Sequence, residues 1–157
     1  MKTKKQLIIA VDFDGTIVEH EYPHIGQPIP FAIEVLKKLQ EEGHILILWT
    51  VRDGKLLQNA VDYCAQNGLE FYAVNKNHPE DQPNPDRSPK LKAIDIFIDD
   101  RNVGGLPDWG VIYNVINSGH NDFSLIPDFE GPFKAETLPD NRFIRWGKAW
   151  DKLFKSK

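Results

Sequence analysis

The sequence predicts an α/β protein with a doubly wound, Rossmann-like parallel sheet and helices on both faces. Short apolar runs rich in β-branched residues alternate with longer segments in which apolar residues recur at helical spacing. That alternation is typical of repeated β-α units, whose right-handed crossovers place successive strands parallel. Three of the four apolar runs end in acidic or hydroxyl residues, and the carboxyl edge of such a sheet is where ligands bind.

The composition is that of one globular domain. The chain has 157 residues, of which 41% are hydrophobic and 27% charged, enough for a sizeable core but not for two domains. The formal net charge of −4 argues against nucleic acid as the default partner. The single cysteine fits a reducing compartment, and no apolar run suits a signal peptide or a membrane span, so we expect a cytoplasmic protein.

The first predicted strand, residues 7–11, is an apolar run that reads as fully buried and ends in two acids. Side chains alternate along a strand, so Asp12 and Asp14 should project to the same side. Two neighbouring carboxylates repel each other, which implies a bound cation, a shared proton or a basic neighbour. Gly15 then permits a tight turn of the backbone.

The rest of the chain follows from the same two periodicities and from turn signals. In chain order we predict a flap over residues 17–30, a helix over 30–43, a strand over 44–50, a helix over 53–67 capped by Asp53, a strand over 69–74, a loop over 75–89, a strand over 94–98 and a helix over 107–116. After residue 117 the periodicity weakens, which predicts an extended arm followed by a last amphipathic helix that Asp140 caps.

Two acids followed by glycine also occur in calcium-binding loops. An EF-hand needs a Glu at the twelfth position of a loop between two helices. Counting from Asp12, this chain has Pro23 at that position, and the preceding run is a strand pattern. The EF-hand interpretation therefore fails.

The run Asp12-Phe13-Asp14-Gly15-Thr16 resembles the D-x-D-G-T signature of the haloacid dehalogenase superfamily of phosphohydrolases. The resemblance continues in family order. Ile47-Leu48-Trp49-Thr50 resembles the second motif of the family. A lysine ahead of the fourth strand corresponds to the third motif, and Ile98-Asp99-Asp100 resembles the fourth. It covers roughly residues 6–117.

The family resemblance divides the chain into two parts of one domain. Residues 1–117 would form the catalytic core, and residues 118–157 an arm and helix packed on it. Neither interval between motifs is long enough for a cap domain, so we expect an open site. The arm is a candidate lid or homo-oligomer contact.

The resemblance implies a catalytic role for four residues. Asp12 would be the nucleophile and Asp14 the general acid and base. The hydroxyl of Thr50 would hold the transferring phosphoryl group. The motif lysine is Lys90 or Lys92, since spacing permits either, and we favour Lys90.

Further residues are candidates for substrate binding. The backbone N–H groups after the nucleophile, at Gly15 and Thr16, would hold phosphoryl oxygens. Arg52 follows the second motif by two residues and is a candidate contact to the substrate phosphate or leaving group. An ion pair of Arg52 with Asp53 or Asp100 is the equally weighted alternative.

Mg²⁺ is the implied cofactor, because attack of one anion on another is electrostatically opposed. Magnesium prefers octahedral oxygen ligands and keeps waters. The carboxylate of Asp12, the backbone carbonyl of Asp14 and the carboxylate of Asp99 would supply protein ligands. Asp100 would either ligate directly or hold a metal-bound water.

The predicted function is a Mg²⁺-dependent phosphomonoester hydrolase that acts through an aspartyl-phosphate. Its substrate would be a phosphorylated small molecule or a bulky phosphate ester. One alternative is a catalytically silent binding or scaffold protein on the same fold. Another is a phospho-receiver module, which would place its phosphoacceptor Asp on a later strand.

Overall fold

Four short strands form one parallel sheet in the computed structural model, which describes residues 5–82, 91 and 94–118. The strands are β1 (Ile8–Val11), β2 (Ile45–Leu48), β3 (Ala73–Val74) and β4 (Ile96–Ile98), in the order β3-β2-β1-β4. Every neighbouring pair is parallel. The α/β Rossmann-like class predicted from the sequence is therefore confirmed.

The sheet reverses its direction of winding at β1. From β1 the chain passes outward through β2 to β3, and then returns across the sheet to place β4 on the other side of β1. The carboxyl ends of β1 and β4 therefore meet at the point where open α/β sheets bind ligands.

Three helices accompany the strands: α1 (Ala32–Glu41), α2 (Gly54–Gln66) and α3 (Trp109–Ser118). The first begins two residues later than predicted because Phe31, with φ of 66°, is left-handed and so cannot belong to the helix. Asp53 occupies the N-cap position of α2 as predicted, but its side chain makes no capping hydrogen bond. The third starts two residues later and ends two residues later than predicted.

The described helices pack on one face of the sheet. Ile9 and Val11 of β1 point into a buried cluster that also contains buried residues of all three helices. Right-handed crossovers that step in one direction place α1 and α2 on the same face. Tyr113 of α3 hydrogen-bonds Glu42 beside the end of α1. Within the described residues, no helix covers the opposite face.

The strands are shorter than predicted at several ends. The third predicted strand, residues 69–74, is reduced to β3, which pairs only with Ile47 and Leu48 of β2. The predicted strands over residues 44–50 and 94–98 retain four and three paired residues. An apolar run indicates where the chain passes through the core. The length of the strand depends on how far the neighbouring strand remains in register with it.

The flap, residues 17–30, is a narrow hairpin. Val18 bridges Pro28, and the N–H of Glu19 donates to the carbonyl of Gln27 at 2.8 Å. Only the flap and α1 lie between β1 and β2, as expected for a chain without a cap at this position.

Two predictions fall mainly on undescribed parts of the chain. The arm and last helix over residues 118–157 lie outside the described residues, apart from Ser118, which ends α3.

Among the residues that the structure describes, no helix is both long and apolar enough to cross a membrane.

Candidate active site

Three carboxylates meet at the carboxyl edge of the sheet. Asp12 follows β1, and Asp99 and Asp100 follow β4, its neighbour. The N–H of Asp12 donates to the carbonyl of Ile98 at 3.0 Å, which holds the two strand ends together. One oxygen from each of the three carboxylates lies within 4.8 Å of the others. We call these three residues the acidic cluster.

The carboxylate of Asp12 lies in a partly buried site beside two further acids. The pKa of Asp12 is raised to about 6, chiefly by burial and also by the nearby Asp99, Asp100 and Asp14, while a hydrogen bond from the Phe13 backbone lowers it in part. Within the described residues, the buried Oδ1 of Asp100 has no hydrogen-bond partner. Hard divalent cations such as Mg²⁺ prefer oxygen ligands, so the residues present fit such an ion.

A cleft of about 160 Å³ opens beside the acidic cluster. It is lined by Asp12, Trp49, Thr50, Val51, Asp99 and Arg101. The structure thus brings Asp12, the predicted nucleophile, and Thr50, the predicted phosphoryl-binding residue, to one cleft. A larger cavity of about 750 Å³ lies along α1, but none of the predicted site residues lines it.

Trp49, Val51 and Arg101 belong to the cleft but were not predicted as site residues. Val51 is 73% exposed. The available signal was their place in the chain, because each is adjacent to a predicted site residue at a strand end.

Gly15 makes room for Asp100. Its N–H donates to the carbonyl of Val18 at 2.7 Å, so that group is not free to hold a phosphoryl oxygen as predicted. A Cβ at this position would lie 2.3 Å from Oδ2 of Asp100, a distance that atoms cannot adopt. The glycine therefore permits close packing of the two acidic turns, the one after β1 that carries Asp12 and Asp14 and the one after β4 that carries Asp99 and Asp100.

Thr16 connects the two turns and was predicted as a substrate contact. It is fully buried, and its Oγ1 accepts a hydrogen bond of 3.2 Å from the N–H of Asp100. Its carbonyl accepts a hydrogen bond of 3.2 Å from the indole of Trp109 on α3. The N–H of Thr16, predicted to hold a phosphoryl oxygen, donates to the carbonyl of Phe13 at 3.4 Å. The described contacts of Thr16 are therefore structural.

Thr50 is held in place by a residue that the sequence analysis missed. The N–H of Thr50 donates to Oδ1 of Asn75, and Nδ2 of Asn75 donates to the carbonyl of Thr50, both at 2.8 Å. Asn75 adopts a left-handed φ of 51°, which Asn tolerates better than most residues. The position of an Asn directly after a short predicted strand was the sequence feature that could have indicated this role.

Replacing Asn75 by Gly is expected to lower the free energy of unfolding by about 2 kcal/mol, since two hydrogen bonds to the Thr50 backbone are lost. Asn75→Ala should cost about 1 kcal/mol more, because alanine also bears the penalty of a left-handed φ. Urea unfolding measures both values. A Gly variant as stable as the wild type would show that the two hydrogen bonds do not stabilise the strand end.

Arg52 pairs with Asp14, a partner that the sequence did not single out. Its Nε and Nη2 donate to the two carboxylate oxygens of Asp14, each at 2.7 Å. The guanidinium is buried, and Arg52 does not line the cleft. The ion pair of Arg52 is therefore with Asp14 and not with Asp53 or Asp100, the predicted alternative partners. The predicted contact of Arg52 with a substrate phosphate or leaving group stays a prediction.

The carboxylate of Asp14, which pairs with Arg52, is not a member of the acidic cluster. The predicted metal ligand at this position was the backbone carbonyl of Asp14, and that prediction stays open. Both predicted motif lysines, Lys90 and Lys92, lie outside the described residues.

The raised pKa of Asp12 predicts a pH-dependent stability in the absence of metal. The folded protein keeps this proton up to a pH of about 6, whereas the group's ordinary pKa is 3.8. Unfolding between these values releases a proton, so a rising pH destabilises the fold. Urea midpoints in EDTA should fall more steeply with pH in this interval for wild type than for Asp12→Asn.

Mg²⁺ should restore the stability that the protein loses as the pH rises. Above pH 6, where Asp12 is ionised, we expect the ion to raise the unfolding midpoint of the wild type more than that of Asp12→Asn. A difference between the two proteins that varies neither with pH nor with Mg²⁺ would contradict the assignment of the metal to Asp12.

Comparison with known proteins identifies a relative but no activity. No protein-family model matches the chain, and no curated protein matches it. A solved structure described as a conserved protein from Bacteroides thetaiotaomicron is similar, with 60% sequence identity and a TM-score of 0.66. The match covers 73% of this chain and 92% of that one.

Proposed function

We propose that this chain, which belongs to the same family as the conserved Bacteroides thetaiotaomicron protein, is a Mg²⁺-dependent phosphomonoester hydrolase. The observation that carries the proposal is the acidic cluster at the reversal point of the sheet. There a partly buried carboxyl with a raised pKa, Asp12, lies beside Asp99 and Asp100 on the neighbouring strand.

Asp12 is the proposed nucleophile. One of its carboxylate oxygens forms a bond to phosphorus while the bond to the leaving oxygen breaks, which gives an aspartyl-phosphate and a leaving group that takes up a proton. Water then attacks phosphorus, loses a proton and releases inorganic phosphate, so that Asp12 is regenerated. Mg²⁺ held by the acidic cluster would offset the repulsion between the carboxylate and the phosphate.

The other cleft residues would position the substrate. Thr50 lines the cleft, and Asn75 fixes its backbone. Its hydroxyl accepts a hydrogen bond from the N–H of Arg52 and would donate one to a phosphoryl oxygen. The exposed Arg101 supplies a cation on the same cleft, and guanidinium groups bind phosphate well. Lys90 remains the proposed motif lysine.

Asp14 is the proposed proton donor and acceptor. Both of its oxygens accept hydrogen bonds from Arg52. Each oxygen keeps a second lone pair, so Asp14 can exchange a proton with a leaving group or a water once its carboxylate comes within hydrogen-bond distance of that group.

We further propose a phosphorylated small molecule or bulky phosphate ester as substrate and the cytoplasm as location. The open cleft supports the first, and the single buried cysteine, Cys64, supports the second.

The test is phosphate release from a panel of esters with Mg²⁺ and with EDTA. The panel contains aryl phosphates, sugar phosphates, nucleotides and phosphopeptides. We expect release from at least one class that depends on Mg²⁺. No release from any class in the presence of Mg²⁺ would favour the alternative, a catalytically silent protein on this fold.

A further inference from the structure

Arg52 makes more contacts than an ion pair with Asp14 requires. Besides its two bonds to that carboxylate, Nη1 donates to the carbonyl of Pro23 at 3.0 Å and Nη2 donates to the carbonyl of His24 at 2.7 Å. Four of the five N–H groups of the guanidinium are therefore used. Two go to the end of β1 and two to the tip of the flap.

Two aromatic rings flank the same guanidinium. Its carbon lies 5.1 Å from the ring centroid of Phe13 and 5.3 Å from that of Tyr22. Phe13 is buried in the core, whereas Tyr22 sits at the flap tip and is 49% exposed. Guanidinium groups are attracted to aromatic faces, so the flap contributes a ring as well as two carbonyls.

The flap is what completes the environment of this charge. Arg52 is only 1% exposed, and a buried charge is costly unless it is paired and hydrogen-bonded. Asp14 supplies the opposite charge, and the flap tip supplies the remaining acceptors. Withdrawal of the tip would remove two acceptors at once and admit water to the Arg52–Asp14 pair.

We propose that Arg52 is a positioning residue that joins the flap to Asp14, so that closure of the flap and orientation of the Asp14 carboxylate occur together. With the flap closed, both oxygens of Asp14 are engaged. Opening of the flap tip loosens the guanidinium, and the Asp14 carboxylate that it orients can then turn for proton transfer. This inference rests on the proposed function, because it assigns the coupling to the proton-transfer residue.

The alternative is that Arg52 only stabilises the fold. The two roles differ in what an exposed flap residue does. Tyr22→Ala removes a ring from the guanidinium but leaves Asp14 and the core untouched, so it should fold. If the flap and Asp14 are coupled, this variant changes turnover; if Arg52 is only structural, it does not.

The experiment combines hydrogen exchange of residues 17–30 with steady-state kinetics on an aryl phosphate in Mg²⁺. For Tyr22→Ala we expect faster flap exchange and a kcat changed severalfold, with Mg²⁺ affinity unaltered. The matched control is Tyr72→Ala, since Tyr72 is 42% exposed and lies outside the flap. The proposal is overturned if the kcat or the flap exchange of Tyr22→Ala equals that of the control.

Substitution of Arg52 itself gives a second measurement. Arg52→Ala should accelerate flap exchange and lower kcat about 100-fold, because Asp14 remains but loses the partner that orients its carboxylate for proton transfer. Added guanidinium should restore part of both, whereas Arg52→Lys should not, because an ammonium cannot bridge two sites in a plane. A folded Arg52→Ala protein with wild-type kcat would overturn the coupling.

Failure of this inference and failure of the proposed function give different results. If the wild type releases no phosphate from any ester, the proposed function fails. If the wild type is active while flap variants keep its kcat, only the coupling fails.

Discussion

Asp12→Asn is expected to lower kcat for phosphate release by about 10⁴-fold or more, the scale seen when a covalent nucleophile is removed. The amide cannot attack phosphorus, and it also removes one charge from the acidic cluster. The measurement is release of phosphate from para-nitrophenyl phosphate in Mg²⁺, with circular dichroism to verify folding.

The matched control for this prediction is Asp53→Asn. Asp53 is exposed at the start of α2, and its side chain makes no capping hydrogen bond. The same change of acid to amide should therefore leave kcat within about twofold of wild type, as for a surface substitution. An Asp12→Asn protein that retains a tenth of wild-type activity would rule out Asp12 as the nucleophile.

The second large effect is expected from Gly15→Ala, which should abolish Mg²⁺ binding and lower the free energy of unfolding by about 3 kcal/mol. About 1 to 2 kcal/mol comes from a left-handed backbone conformation and the rest from overpacking. Gly15 has φ of 81°, and the new methyl would lie 2.3 Å from Oδ2 of Asp100, so the carboxylate must move. Urea unfolding and a Mg²⁺ titration measure the two effects.

Gly43→Ala separates the two contributions. Gly43 has φ of 91°, but a Cβ there would meet no atom within 4 Å. This variant should bear only the backbone penalty, about 1 to 2 kcal/mol, and should bind Mg²⁺ normally. Equal losses of stability and equal Mg²⁺ affinities in the two variants would show that contact with Asp100 is unimportant.

The edge of the sheet at which the acidic residues meet was predictable because it follows from a general rule. Apolar runs become parallel strands, and the carboxyl ends of neighbouring strands share one edge. That rule was enough to predict that acids after the first and fourth runs would approach each other, and the structure brings Asp12 and Asp99 to one cleft. The α/β class followed from the same periodicities.

Side-chain partners were less predictable because they depend on distant parts of the chain. The pairing of Arg52 with Asp14 spans 38 positions, and the sequence offered closer acids. Gly15 and Thr16 were assigned to substrate because they follow the nucleophile. Their packing against Asp100, more than 80 positions away, needed the three-dimensional structure.

The contacts of the flap tip with Arg52, and the hydrogen bonds of Asn75 to the backbone of Thr50, were missed for a related reason. Carbonyl acceptors carry no residue identity, so nothing in the letters of Pro23 or His24 indicated a contact with an arginine. The side chain of Asn75 bonds the backbone of residue 50, and any residue at that position would offer the same backbone groups.

The hydrogen bond between Thr16 and Asp100 has a consequence for how relatives of this chain can differ. Because one hydroxyl ties the two acidic turns, adding or deleting a residue in either turn would displace the carboxylates of both. We therefore expect relatives to differ in length within the flap or after β3, and to keep residues 12–17 and 98–101 at fixed length. The chemistry would then be inherited as one block while its surroundings diversify.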